Sequence, residues 1–172
     1  GMVFKDISTK FRVDDSLYVV DQFKLKAFDG AINTSAVYDT RQDTQIIISF
    51  KNIIERMDIH RLLVEGNNFD QDDFTSDNIT GLLTSEVDGR IVFTDSFDVV
   101  FDKMIVKGDF KLENGGIFNY EPLEELSKKP IPGLKDLDSL LFQTLVSQVF
   151  IYKNEIYFPK TDIITNATDI SA

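Results

Sequence analysis

The residues of this chain that could do chemistry are few. His60 is the single histidine, and cysteine is absent. A Ser-His-Asp or Cys-His device would have to use His60, and sulfur-ligated metal sites are excluded. His60 lies beside Arg61 in MDIHRLLVEG, off the apolar stripe of a predicted helix. A surface histidine is therefore the favoured interpretation, and we predict no catalytic residue and no cofactor.

Carboxylates cluster in FDQDDFTSDN, which contains Asp70, Asp72, Asp73 and Asp77. Calcium binds carboxylate and carbonyl oxygens, so the segment invites comparison with an EF-hand loop. Phe74 stands where a third ligand belongs, the glycine is missing and no Glu closes the loop. A solvated turn is favoured and no metal site is predicted. A carboxylate-based enzyme or a calcium-binding module remains one hypothesis, because 29 acidic residues offer suitable pairs by chance.

Charge and hydropathy narrow the classes of partner. The chain has 172 residues, with 18 Lys and Arg against 29 Asp and Glu, for a net charge of -11. A chain with this much negative charge repels the phosphate backbone of nucleic acids. We therefore predict no nucleic-acid partner. No apolar run approaches the roughly 20 residues that cross a bilayer as a helix. The length and the 42% of apolar residues are typical of one folded domain.

The elements that must position any site are mainly strands, because apolar and polar residues alternate along much of the chain. QFKLKAFDG, TQIIISFK and KMIVKGDFKLEN show the alternation most clearly. They predict a sheet with one solvated face and one apolar face. The apolar positions of these segments are the candidate site residues: Phe23, Leu25, Ile46, Ile48, Phe50, Met104, Val106, Phe110 and Leu112.

Turn and helix signals divide the strands. Asp58 is placed to cap a short helix that Gly66 ends, and a second helix is predicted over 121–129. Residues 134–145 have leucines at helical spacing, but strand is favoured from about residue 141. Pro159 predicts an edge strand or a bulge. Tight turns are predicted at Asp29-Gly30, Asp88-Gly89, Asn114-Gly115-Gly116 and Lys153-Asn154.

The predicted fold is mainly β: a curved antiparallel sheet or meander, shaped like a groove or half-barrel, with two or three short helices. The apolar face has two interpretations. Periodicity alone favours a closed core, as in any sandwich. The alternative is a face left partly open, which could hold acyl chains.

The second half of the chain resembles the C-terminal region of the AsmA family of Gram-negative envelope proteins, which includes AsmA and TamB. The resemblance runs through NITGLLTSEVDG, DKMIVKGDFKLENGGIFNYEPLEEL and LDSLLFQTLVSQVFIYKNEIYFPKTDIITNATDIS. FDGAINTSAVYD and IISFKNIIERMDIHRLL are similar to the upstream part of the family pattern. One departure is Glu155, where the family usually has a glycine. The positions that match the pattern are Gly81, Gly108, Phe110, Leu112, Gly115, Ile117, Phe142, Leu145, Phe150, Ile151 and Asn154.

The resemblance implies a non-enzymatic protein at the periplasmic face of the inner membrane, with a role in outer-membrane assembly and lipid transport. It also implies an apolar β-groove that binds or relays phospholipid, and other envelope proteins as partners. The family's membrane helix is missing here and GMVFKD is typical of a cloning remnant. We therefore expect residues 1–172 to be a single AsmA-like C-terminal domain excised from a longer, membrane-anchored protein. The alternative is a closed β-rich module that binds envelope proteins and holds no lipid.

Overall fold

A computed structural model describes residues 2–72, 74–120 and 139–165, together with the backbone of 169–171. The described strands form one antiparallel sheet in which each strand pairs with the next along the chain. The first and last strands do not pair with each other, so the sheet is an open meander in this part of the chain. The strands are β1 Lys5–Asp14, β2 Leu17–Ala27, β3 Gly30–Gln42, β4 Gln45–Asp58, β5 Ile79–Thr94, β6 Ile105–Phe118, β7 Ser139–Tyr152, β8 Glu155–Ile164 and β9 Asp169–Ser171.

This architecture confirms the predicted curved antiparallel meander with short helices. The described residues contain one short helix, α1 at Ile59–Glu65, and two single 3-10 turns at Asn67–Asp70 and Phe101–Lys103. The first of these turns has positive φ at each of its four residues. The helix predicted over 121–129 lies outside the described residues. No described helix is both long enough and apolar enough to cross a membrane.

Helix α1 has the ends that the sequence predicted. The Asp58 side chain accepts a hydrogen bond from the Arg61 backbone N–H at 2.9 Å. The Gly66 backbone N–H donates to the Leu62 carbonyl oxygen at 2.9 Å and closes the last turn. Leu63 is the fully buried residue of this helix, and it seats α1 on the sheet.

Removing the cap should loosen α1. We expect Asp58→Ala to lower the free energy of unfolding by about 1 kcal/mol, because an N-cap carboxylate satisfies a helix donor that has no other partner. Asp58→Asn keeps an acceptor at the same position and is the matched control. Urea unfolding of both variants checks this, and equal losses in the two would contradict the capping role.

Two of the predicted turns are confirmed and two are wrong. The chain reverses at Phe28-Asp29, directly before Gly30, and at Lys153-Asn154. Asp88-Gly89 lies inside β5. Asn114-Gly115-Gly116 lies inside β6. Gly89 lies under the Phe50 ring within β5, and Asn114-Gly115-Gly116 lies at a register irregularity within β6. Neither signal marks a chain reversal.

The irregularity in β6 explains the Asn-Gly-Gly sequence. The register between β5 and β6 shifts between Thr80 and Leu82, and Asn114 has φ 51° on the opposite strand. A Cβ on Gly115 would lie 2.1 Å from the Thr80 carbonyl oxygen. Glycine is therefore required because the backbones approach too closely for any side chain.

The remaining strand predictions also have clear outcomes. Strand β7 begins at Ser139, two residues before the predicted start, and its Leu140 and Phe142 are buried. The register of β8 shifts between Tyr157 and Lys160, opposite Phe150 and Gln148. Pro159 falls in that shift, which confirms the predicted bulge.

The core is concentrated under α1. One buried cluster joins Leu63 of the helix to Ile79, Leu112 and Phe142 of three strands. A second cluster contains Ala27, Phe28 and Met57, with Leu62 packed against it. Elsewhere the strands contact almost only their neighbours in the sheet, so most of the described sheet is a single layer.

Candidate functional site

Strand register decides which side chains share a face, because directly opposed residues of antiparallel strands point to the same side. One face is almost entirely apolar, and we call it the apolar face. Its members on successive strands are Phe11 and Val13; Tyr18, Val20, Phe23 and Leu25; Ile32, Ala36 and Tyr38; Ile46, Ile48, Phe50 and Ile54; Leu83, Val87, Ile91 and Phe93; Val106, Phe110 and Leu112; Leu145, Val149 and Ile151.

The structure brings the predicted site residues together on this face. All of them belong to it except Met104, which directly precedes β6. Leu112 is buried beneath α1. The others are half-buried: Phe23, Leu25, Ile46, Ile48, Phe50, Met104, Val106 and Phe110.

The apolar face is covered at one end and open at the other within the described residues. Helix α1 and its cluster cover Leu112 and Met57. The row Val20, Ala36, Phe50, Gly89 and Val106 crosses five strands in direct register, beyond that helix. An apolar surface of this extent on a single-layered sheet is a candidate site for binding an apolar ligand or partner.

Two phenylalanine rings of the apolar face pack over glycines. A Cβ on Gly89 would lie 3.0 Å from the Phe50 ring, and a Cβ on Gly108 would lie 2.5 Å from the Phe110 ring. The rings therefore occupy the space that side chains at these glycines would take. This packing explains why Phe50 and Phe110 are only half exposed although no other described element covers them.

The few polar groups on the apolar face are mostly paired with one another. The Thr34 hydroxyl donates to the Asn52 side-chain oxygen at 2.6 Å, and the hydroxyls of Ser147 and Thr161 are 3.0 Å apart. The buried Ser85 hydroxyl, beside Phe110 in the register, has no hydrogen-bond partner among the described residues. Pairing lowers the cost of keeping polar groups on an apolar surface.

The opposite face, which we call the charged face, is held by ion pairs and polar contacts. Lys51 Nζ lies 2.5 Å from Glu86 Oε1, and Gln148 Nε2 donates to Asp109 Oδ1 at 2.7 Å. Most of this face is solvated, as the alternation predicted, but Val19, Ile47 and Val92 on it are buried. Its members include Lys24, Lys51, Glu86, Asp88, Arg90, Lys107, Asp109, Lys111, Glu113, Gln148 and Lys160.

One carboxylate on this face has a strongly lowered pKa. Asp39 accepts hydrogen bonds from Arg41 Nε at 2.9 Å, from Arg41 Nη2 at 2.7 Å and from the Arg41 backbone N–H at 3.0 Å. The side-chain hydrogen bonds, and then the backbone one, lower the pKa of Asp39 from 3.8 to about 2. The carboxylate therefore stays ionised in mildly acidic solution.

A carboxyl-detected NMR titration should find the Asp39 midpoint near 2 in the native chain. In Arg41→Gln the midpoint should move back toward 3.8, because the guanidinium hydrogen bonds to the ionised form are removed, while the backbone N–H of residue 41 remains. Since the folded-state pKa is the lower one, the pair stabilises the fold above pH 3.8, and this contribution is lost as the pH falls through about 2. An unchanged midpoint in Arg41→Gln would contradict this cause.

The residues first considered for chemistry form no metal-binding group in the described part of the chain. His60 is exposed, with Nδ1 2.9 Å from the Ser76 carbonyl oxygen. Asp70 accepts a hydrogen bond from the Asn67 side chain at 2.9 Å. Asp73 lies outside the described residues, and the other residues show no group of three His, Cys, Asp or Glu side chains able to hold a metal.

The sequence analysis missed several members of the apolar face. Apolar and polar residues also alternate in SLYVVD, SAVYDT and VSQVFIY, which could have identified these members. Bulges, such as the register shift between Val20 and Phe23, interrupt that alternation. The missed positions include Tyr18, Val20, Tyr38, Ile91, Val149 and Ile151.

Comparisons with protein-family models, with curated proteins and with solved structures find no match to this chain. The resemblance to the AsmA family therefore remains a prediction from the sequence.

Proposed function

We propose that this chain is a non-enzymatic, AsmA-like periplasmic domain that binds or relays phospholipid on its apolar face during cell-envelope biogenesis. The observation that carries the proposal is the apolar face itself, where Phe50, Val106 and Phe110 lie on a sheet that is a single layer in the described part of the chain. The envelope location and the membrane-anchored parent protein rest on the family resemblance alone.

The energetics suit acyl chains. Transfer of a methylene group from water to an apolar surface gains about 0.8 kcal/mol, so a chain lying across several strands gains several kcal/mol without any polar contact. Continuous rows of apolar side chains cross the sheet from strand to strand, and the rings of Phe50 and Phe110 cover the glycines in these rows. A head group would remain in water at the border of the face, which requires no dedicated binding motif.

The test is mass spectrometry of an organic extract of the chain purified from a Gram-negative host. We expect phospholipid in a stoichiometric amount, above the level in an equally treated unrelated acidic β-protein. A lipid-free extract, together with failure to take up phospholipid from vesicles, would refute the proposal.

The second candidate is an interaction module that binds other envelope proteins. The described sheet does not close on itself, so such a module would present an open sheet to its partner. Binding of a protein remains a proposal, and the outer edge of β1 favours it. That strand is exposed throughout, with Ile7 at 61% and Phe11 at 58% exposure. Exposed strand edges readily accept another strand.

A further inference from the structure

The charged face contains a groove whose polar residues the proposed function does not use. Its lining also includes Val20, Ala36, Phe50 and Gly89, which belong to the apolar face. It has a volume of about 590 Å³ and crosses β2 to β5, reaching Ile105 of β6. The groove is shallow and open to solvent, so a ligand would lie along it without being enclosed. Apolar residues form part of its lining, notably Val19, Val37 and Ile105.

Charge in the groove is compensated everywhere except at one residue. Arg12 pairs with Asp21 at 3.3 Å, and Lys51 pairs with Glu86. Asp88 lies directly opposite Lys51 on one side and Lys107 on the other. Arg90 is different.

Arg90 has no ion-pair or hydrogen-bond partner among the described residues. Its cross-strand neighbours are Ser49 on one side and Ile105 on the other, so register places no carboxylate directly beside it. An arginine guanidinium presents a planar set of donors that matches a carboxylate with two parallel hydrogen bonds. The neighbouring Ser49 hydroxyl lines the same groove and can donate a third.

The apolar positions extend from Arg90 in the same row. Ser49 separates Arg90 from Val37, and Val37 lies directly opposite Val19. Strands are about 4.8 Å apart, so Val19 is about 14 Å from Arg90 along this row. A ligand that follows the row would have an anionic end at Arg90 and an apolar body that contacts Val37 and extends over Val19, which is 7% exposed.

We propose that this groove binds a single-chain amphiphilic carboxylate of the fatty-acid type, with its carboxylate on Arg90 and Ser49 and its hydrocarbon chain over Val37 and Val19. The site lies on the face opposite to the proposed phospholipid surface, so it does not depend on the proposed function. Charge complementarity selects the anion, because Arg90 is the uncompensated cation in the described groove.

Isothermal titration with decanoate, together with amide chemical shifts, tests the site. The native chain should bind decanoate with shift changes at Ser49 and Arg90. We expect Arg90→Gln to bind at least tenfold more weakly, because charge-assisted hydrogen bonds are lost. The matched control is Arg56→Gln, which removes the same charge from a residue outside the groove that pairs with Glu113 at 3.5 Å.

Further ligands and one further variant separate the alternatives. Decanol, which has the chain without the anion, and acetate, which has the anion without the chain, should each bind much more weakly than decanoate. Affinities are taken from the shift changes at Ser49 and Arg90, because the apolar face would also take up acyl chains. Phe110→Asp, which alters the apolar face, should leave these shift changes in place. Equal decanoate affinity in Arg90→Gln and the native chain, decanol binding as tightly as decanoate, or acetate binding as tightly as decanoate would each overturn the proposal.

Discussion

A Phe110→Asp variant should purify without phospholipid and still fold. Phe110 lies on the apolar face, in register with Ser85 and Ser147, and its ring is half exposed over Gly108. A carboxylate there must remain hydrated, so an acyl chain could no longer lie across this row of the face. We expect loss of essentially all extracted lipid, with an unchanged circular dichroism spectrum.

Phe150→Asp is the matched control, because it makes the same chemical change on the other face of the sheet. Phe150 is directly opposite Lys107 on the charged face, and its ring stacks on Tyr152 with 6.1 Å between centroids. We expect this variant to lose some stability but to retain lipid. Equal lipid loss in both variants would show that the effect is not specific to the apolar face. Unfolding of Phe110→Asp alone would show that Phe110 is a core residue and would contradict the open-face interpretation.

The apolar face could largely be predicted because it depends on local alternation. Strand residues point to opposite sides with a period of two, so Ile46, Ile48 and Phe50 had to share a face once TQIIISFK was recognised as a strand. Placing Phe23 and Val106 on that same face requires the pairing of strands. The shared apolar character of these segments predicted the result, but the sequence could not supply the register.

The wrong turns show what local sequence cannot decide. An Asn-Gly pair favours positive φ, and both tight hairpins and bulges within strands require it. Asn154 has φ 62° where the chain reverses, whereas Asn114 has φ 51° within a continuous strand. Whether the chain turns depends on the partner strand, here the approach of Thr80 to Gly115. That information is not local.

The groove on the charged face was not predicted for the same reason. Arg90 follows Asp88 and Gly89 in the sequence, which suggests a turn residue with an acidic neighbour. Strand pairing instead places Ser49 and Ile105 beside it. Whether Arg90 has an ion-pair partner depends on how the strands pair, and its two cross-strand neighbours, Ser49 and Ile105, are distant from it in sequence.

Gly115→Ala should cause one of the largest losses of stability available from a single methyl group in this chain. The added Cβ would lie 2.1 Å from the Thr80 carbonyl oxygen and 2.9 Å from Gly81 Cα. Both are backbone atoms of the partner strand, so relief requires β5 and β6 to separate. Gly81 cannot easily adjust, because its φ of 129° is accessible mainly to glycine. We expect a loss of about 3 kcal/mol in the free energy of unfolding.

The loss should extend to the core, because the irregularity lies between Leu112 and Ile117, which belong to or pack against the cluster that seats α1. Asn114→Gly is the control: it changes the adjacent residue, whose φ of 51° glycine adopts without strain, and should leave stability nearly unchanged. Urea unfolding followed by circular dichroism measures both variants. If Gly115→Ala were as stable as Asn114→Gly, β5 and β6 could not approach as closely as described, and the register beyond Gly81 would have to differ.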